Sequence, residues 1–225
     1  TGTSPYSVAV GDFNHDTRLD IVVANMDNNT VSVFLGYGNG SFLNQTQYLT
    51  GSGPCSVAVG DFNNDVHLDI VVANSDDNTV SVLLGYSNGS FANQTTYSTG
   101  SGPQSVAVGD FNNDTHLDIV VANSDDNTVS ILRGYGNGSF ANQTTYSTGS
   151  GPISVAVGDF NNDTNLDIVV ANADDNTVSI LRGYADGSFA NQTTYSTGSG
   201  PISVAVGDFN NDTSLDIVVA NCDDN

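Results

Sequence analysis

Pro5, Pro54, Pro103, Pro152 and Pro201 stand 49 residues apart, with no insertion or deletion between them. Each opens the same text, as in Gly102-Pro103-Gln104-Ser105-Val106-Ala107-Val108-Gly109-Asp110-Phe111. Four copies are complete, and a fifth stops at Asn225. A chain written this way folds as a row of equivalent units, each burying its apolar faces on its neighbours. The repeats run 1–49, 50–98, 99–147, 148–196 and, in part, 197–225.

One copy predicts four strands. Ser105 to Asp110 alternates with Val106 and Val108 on one face. Leu117 to Asn123 is a β-branched run centred on Ile119, Val120 and Val121. Thr128 to Leu132 follows the turn Ser124-Asp125-Asp126-Asn127. A fourth strand around Phe140 to Tyr146 follows Gly136-Asn137-Gly138-Ser139. Four short strands per unit of this length is the pattern of a β-propeller blade, so the expected fold is all-β: one propeller domain over 1–225, of about five blades with the last incomplete. Frequent Gly and β-branched residues exclude a helical solenoid, and a single barrel does not account for so rigid a period. A chain that begins and ends inside repeats suggests a mature region or fragment of a larger propeller, with further blades on either side.

Between strands one and two, every copy carries Asp-Phe-Asn-x-Asp-x-x-Leu-Asp. Counting from the first Asp, oxygen donors fall at positions 1, 3, 5 and 9. These are Asp12, Asn14, Asp16 and Asp20; Asp61, Asn63, Asp65 and Asp69; Asp110, Asn112, Asp114 and Asp118; Asp159, Asn161, Asp163 and Asp167; Asp208, Asn210, Asp212 and Asp216. A hard cation such as Ca²⁺ takes six to eight oxygens from carboxylates, amides, carbonyls and water. Position 7 drifts through Arg18, His67, His116, Asn165 and Ser214, as a ligand contributed through its backbone carbonyl would permit. Position 8 is always Leu, which can anchor the loop in the core. An EF-hand is excluded, because position 12 is Val within a strand. Asp and Asn also make good hairpin turns, but turn chemistry alone does not account for three carboxylates at fixed spacing in all five copies. Two unit charges about 4 Å apart cost roughly 4 kcal/mol at an effective dielectric near 20. A cation among them removes that cost, and one Ca²⁺ per repeat is the expected cofactor.

Composition agrees. The chain has 25 acidic residues, all Asp, against three Arg and no Lys, for a formal charge of -22. Such a chain repels nucleic acid and anionic membrane surfaces. No segment approaches the ~18 apolar residues of a membrane span, so neither nucleic acid nor direct membrane insertion is expected.

The stretch Val106-Ala107-Val108-Gly109-Asp110-Phe111-Asn112-Asn113-Asp114, continuing through Leu117-Asp118-Ile119-Val120-Val121-Ala122-Asn123, resembles an FG-GAP/VCBS-type repeat, the family that includes the β-propeller of integrin α chains. The resemblance covers the whole chain in five in-register copies. It implies a propeller with Ca²⁺ in hairpin loops on one rim, a secreted or cell-surface location, and adhesion or binding of an extracellular protein or glycan. One departure stands out: the family usually has Gly at loop position 6, where this chain has Thr17, Val66, Thr115, Thr164 and Thr213. β-branched residues resist positive φ, so the loop is expected to be strained, differently shaped or weaker in affinity, with Val66 the worst case.

The resulting expectation is a calcium-binding adhesion module rather than an enzyme, with a carbohydrate-binding lectin as the alternative. A polysaccharide-active enzyme is disfavoured, because near-identical copies do not provide asymmetric pairs of titratable groups. Tyr37, Tyr86, Tyr135 and Tyr184 could stack on sugars, but packing between blades is the expected role. Arg133 and Arg182 are read as partners of nearby aspartates, and the pairs Asp76/Asp77, Asp125/Asp126, Asp174/Asp175 and Asp223/Asp224 as turn residues. Among the N-x-S/T sequons, Asn39, Asn88 and Asn137 lie in an exposed turn and are the better glycosylation candidates. Cys55 and Cys222 fall in blades two and five, and no disulfide is expected between them.

Overall fold

The computed structural model describes residues 1–223. The first repeat forms one antiparallel sheet from β1 (Pro5–Gly11), β2 (Asp20–Asn25), β3 (Thr30–Phe34) and β4 (Thr46–Leu49), in that order. A short 3-10 turn, Met26–Asn28, joins β2 to β3. The next three repeats copy this as β5–β8 (Pro54–Gly60, Asp69–Asn74, Thr79–Leu83, Thr95–Ser98), β9–β12 (Pro103–Gly109, Asp118–Asn123, Thr128–Leu132, Thr144–Ser147) and β13–β16 (Pro152–Gly158, Asp167–Asn172, Thr177–Leu181, Thr193–Ser196). The fifth contributes β17 (Pro201–Gly207) and β18 (Asp216–Asn221). No strand pairing joins one sheet to another; successive blades meet through their first strands, β1 with β5, β5 with β9, β9 with β13 and β13 with β17.

The sequence expectation holds for the first three strands and errs on the fourth. Phe140 makes only an isolated bridge to Gly134, and the strand proper is Thr144–Ser147. Phe140 instead turns into the space between blades, where its ring meets Phe62 at 5.5 Å and Tyr97 at 5.4 Å, both edge to face. Burying an aromatic ring against two others outweighs continuing a ladder at the sheet's outer edge.

The second strand explains the architecture. Its text Asp-Ile-Val-Val-Ala-Asn has no polar alternation, and in β6, β10 and β14 every residue is buried. Both faces meet protein. Ile70 and Val72 join Phe13, Val22, Ala24, Val31 and Val33 of the preceding blade. Val71 and Ala73 join Val106, Ile119, Val121 and Leu132 of the following one. The same alternation recurs at the next interface. The core is therefore a series of layers between blades, not one central mass. A bond between blades accompanies each layer: the Val57 N–H donates to Ser7 Oγ at 3.2 Å, as do Val106 to Ser56 and Val155 to Ser105.

The crossing between blades is held by the paired aspartates. Asp77 Oδ2 accepts from the Ser52 N–H at 2.6 Å, and Asp126 and Asp175 repeat the contact to Ser101 and Ser150. The pairs lie in the hairpin turn as expected, but these contacts reach 25 residues back to the crossing rather than closing the turn itself; Asp224 lies outside the described residues. Cys55 is buried and Cys222 exposed, and both are free. Cys55 Sγ lies 3.1 Å from the Pro103 carbonyl oxygen of the next blade.

Because burial depends on having a blade on each side, one repeat position should behave differently along the chain. Val120 is fully buried and Val218, its counterpart in the fifth blade, is 50% exposed. Val120→Ala should cost about 2–3 kcal/mol of stability, and Val218→Ala less than about 0.5 kcal/mol, measured by urea unfolding.

Candidate functional site

In the four complete repeats, the loop between the first and second strands begins as the chain leaves the sheet and ends at a buried carboxylate. Asp20, Asp69, Asp118 and Asp167 are fully buried. In blade two, Asp69 Oδ2 accepts from the Phe62 N–H at 2.8 Å and Oδ1 from the Gly85 N–H at 2.7 Å. Blade one repeats this with Phe13 and Gly36 on Asp20, and blade three with Phe111 and Gly134 on Asp118. Position 9 thus ties the start of the loop to the end of the third strand. The glycine partner is obligatory, because a Cβ at Gly85 would lie 2.2 Å from the Leu68 carbonyl oxygen. The sequence reading missed this partner, although a Gly sixteen residues after each position-9 Asp in all four complete copies was its visible signal.

Positions 1, 3 and 5 gather on one turn. In blade one the Asp16 N–H faces both Asp12 Oδ1 at 3.1 Å and Asn14 Oδ1 at 3.2 Å. Asp12 Oδ2 accepts from the Thr17 N–H at 2.8 Å, and Asp16 Oδ1 from the Arg18 N–H at 2.9 Å. The set recurs around Asp61, Asn63 and Asp65; around Asp110, Asn112 and Asp114; around Asp159, Asn161 and Asp163; and around Asp208, Asn210 and Asp212. Among the described residues, no three carboxylate, imidazole or thiol groups converge into a ready-made metal cage. The donors are nonetheless the hard oxygens that Ca²⁺ takes, and a carboxylate oxygen accepting one N–H keeps a second lone pair.

The departure at position 6 is resolved as strain. Thr17, Val66, Thr115, Thr164 and Thr213 all adopt left-handed backbone, with φ between 66 and 72°. Position 4 does the same at His15, Asn64, Asn113, Asn162 and Asn211. Such a conformation in a non-Gly residue costs about 1–3 kcal/mol. It persists because each position-6 N–H is needed by the first Asp, as from Val66 to Asp61 Oδ2 at 2.8 Å.

Neighbouring loops also touch. Position 4 of one loop meets position 7 of the next: His15 Nε2 lies 2.8 Å from His67 Nδ1, and Asn113 Nδ2 donates to Asn165 Oδ1 at 3.0 Å. The loops therefore lie side by side along one rim. Arg18 approaches Asp16 at 3.8 Å and His116 approaches Asp114 at 3.3 Å. The Ser188 hydroxyl and N–H hold the Asp186 carboxyl low with a smaller contribution from Arg133, and the Asn165 N–H does the same for Asp163 with a smaller contribution from Arg182. Tyr37, Tyr86, Tyr135 and Tyr184 do not pack between blades as the sequence suggested. They are 49–60% exposed, and the interblade aromatic role falls to Phe13, Phe91 and Tyr48 and their repeats. Asn39, Asn88 and Asn137 are exposed, and each carboxamide oxygen accepts from the serine two residues on.

The repeat geometry is that of a known family. The chain matches the FG-GAP-like repeat at residues 12–72, 61–121, 110–170 and 161–219. It belongs to that family. No curated protein sequence matches this FG-GAP-like chain. Solved structures resemble it in fold. A functionally unknown protein from Desulfotomaculum acetoxidans is 15% identical with a TM-score of 0.73, covering 97% of this chain and 63% of its own. A putative 6-phosphogluconolactonase from Bacteroides fragilis is 16% identical with a TM-score of 0.67, covering 93% and 57%. The V. cholerae biofilm matrix protein Bap1 is 18% identical with a TM-score of 0.57, covering 96% and 35%. The FG-GAP-like chain thus spans less than two thirds of each.

Two carboxylate environments coexist in each loop. Burial pushes Asp69 and Asp118 up to about 6, against the two N–H bonds each accepts and with help from the other aspartates of the loop. The position-7 N–H holds Asp163 and Asp212 below the ordinary carboxylate range. A raised folded value means that the stability linked to Asp69 and Asp118 is full below about 3.8 and is lost as pH rises through about 6. In chelator, the melting temperature should rise as pH falls from 7 toward 5, and the double variant Asp69→Asn/Asp118→Asn should flatten that slope. The left-handed strain makes a separate prediction. Val66→Gly should stabilise the protein by about 1 kcal/mol, strain relief exceeding the added chain entropy, as read from the urea midpoint.

Proposed function

We propose that this FG-GAP-like chain is an extracellular, secreted or cell-surface, calcium-binding module that engages a protein or glycan ligand, with Ca²⁺ as a structural ion in the β1–β2 loop of each repeat. The observation that carries the reading is the convergence of positions 1 and 3 on one N–H, that of position 5, in five copies of one loop. Positions 1, 3, 5 and 9 would supply oxygens to the ion together with the position-7 carbonyl. The ion supplies charge neutralisation: five Ca²⁺ add ten positive charges, changing the formal charge from -22 to -12. At free Ca²⁺ tenfold above the dissociation constant, each independent site adds roughly 1.4 kcal/mol of stability.

The reading is of a binding module rather than an enzyme. The loop carboxylates recur at the same positions in every blade, so no one of them is set apart from its counterparts in the way that acid–base chemistry requires. The likeness to a putative phosphogluconolactonase is one of fold alone. A glycan as the ligand is favoured by one further observation, the row of exposed tyrosines Tyr37, Tyr86, Tyr135 and Tyr184, one per complete blade and each beside a glycine.

Excess chelator should lower the melting temperature by many degrees, and calorimetric titration with Ca²⁺ should count about five sites. Asp110→Asn/Asp114→Asn should reduce that count by one. An unchanged melting curve in chelator together with no heat of Ca²⁺ binding at millimolar concentration would remove the metal from the proposal.

A further inference from the structure

The chain has three histidines, and two of them meet. Loop position 4 is His15 in the first copy and Asn64, Asn113, Asn162 and Asn211 in the others, while position 7 is His67 in the second. Position 4 of one loop lies beside position 7 of the next, so these two residues fall at the same junction, between blades one and two. His15 Nε2 stands 2.8 Å from His67 Nδ1, with the ring centroids 4.8 Å apart and the planes inclined at 66°. His15 is exposed and His67 half-buried, so ions in solution reach the pair.

The third histidine gives an internal comparison. His116 occupies position 7 of the third loop, where position 4 of the loop before is Asn64, and its Nδ1 turns to its own loop's Asp114 at 3.3 Å. His67 has the equivalent carboxylate beside it in Asp65, which accepts its backbone N–H at 2.9 Å, yet its Nδ1 faces His15. The ring orientation is set by the neighbour across the junction and not by its own loop.

Two facing imidazole nitrogens suit Zn²⁺, Ni²⁺ and Cu²⁺, whereas Ca²⁺ takes oxygen. Two nitrogens each about 2.0–2.1 Å from one ion stand about 2.9 Å apart at a right angle and about 3.3 Å apart at a tetrahedral one. The pair already stands close to the first separation, and small rotations of the rings aim both lone pairs at one point. Between neutral rings, one facing nitrogen donates its hydrogen to the other. An ion replaces that hydrogen when the donating ring carries it on its far nitrogen instead, and both rings stay neutral.

We propose that His15 and His67 form a transition-metal site, holding one late divalent ion of the Zn²⁺ or Ni²⁺ kind through His15 Nε2 and His67 Nδ1, with water completing the coordination. The ion clips blade one to blade two. The site is independent of the Ca²⁺ reading: it uses the imidazoles, where that reading uses the position-7 carbonyl, and it occurs at one junction rather than in every repeat. The formal charge of -22 draws cations toward it.

The test is calorimetric titration of the full chain with NiCl₂ and with ZnCl₂, with and without millimolar Ca²⁺. His15→Asn and His67→Asn each install a residue that another copy carries at the same position, so the fold is kept. One site per chain is expected in both conditions. Each of these variants should weaken it tenfold or more, and His116→Asn should leave it unchanged. With Zn²⁺ bound, nitrogen-15 spectra should show their largest shifts at His15 Nε2 and His67 Nδ1. Affinity unchanged in His15→Asn would place the ion on loop carboxylates alone and overturns the proposal. Equal weakening by His116→Asn, or no binding of either ion up to millimolar concentration, overturns it as well.

Discussion

The buried carboxylate at loop position 9 is the interaction on which the blade depends. Both oxygens of Asp69 are spent on backbone N–H groups that the turn leaves without partners, those of Phe62 and Gly85. Holding the Phe62 N–H fixes where the chain turns out of its strand, and so aims the Phe62 ring into the layer shared with Phe140 and Tyr97. Holding the Gly85 N–H brings the third strand's end against the Leu68 carbonyl, a distance only glycine tolerates. An ionised carboxylate is expensive to bury, and two short N–H bonds offset that cost only in part, so burial still pushes Asp69 and Asp118 up to about 6.

The same logic accounts for the β-branched residue in a left-handed conformation. The Val66 N–H is committed to Asp61 and the His67 N–H to Asp65, so relaxing φ would release donors from charged acceptors. Hydrogen bonds to charged groups are worth more than ordinary ones, and they hold the strain that glycine would avoid. The loop is thus shaped by its own carboxylates before any ion is considered.

Much of this was legible in the sequence because the repeat multiplies every signal by four or five. The period, the strand order and the oxygen-bearing positions are visible in the text, and the all-burying second strand is foreshadowed by its unbroken Ile-Val-Val-Ala run. What was not legible depended on contacts between blades. Phe140 reads as a strand residue by composition, yet it leaves the ladder for an aromatic layer whose other members lie in different repeat segments. The exposed tyrosines read as packing residues because aromatic content alone does not say which rings the interblade layer has room for; three rings fill it, and the Tyr that follows the close-approach glycine is left outside. Position 9 looks in the text like positions 1, 3 and 5, and only the coordinates reveal that each of its oxygens accepts an N–H bond from another segment.

Identical repeats also impose a consequence that a single-core protein escapes. In a chain with one central core, a surface residue and a core residue differ in type. Here the same Val, Phe or Leu is core in the middle blades and surface at the two ends, because burial is conferred by the neighbouring blade and not by the residue's own segment. Val22, Val71, Val120 and Val169 are fully buried, while the same residue at 218 is half in solvent.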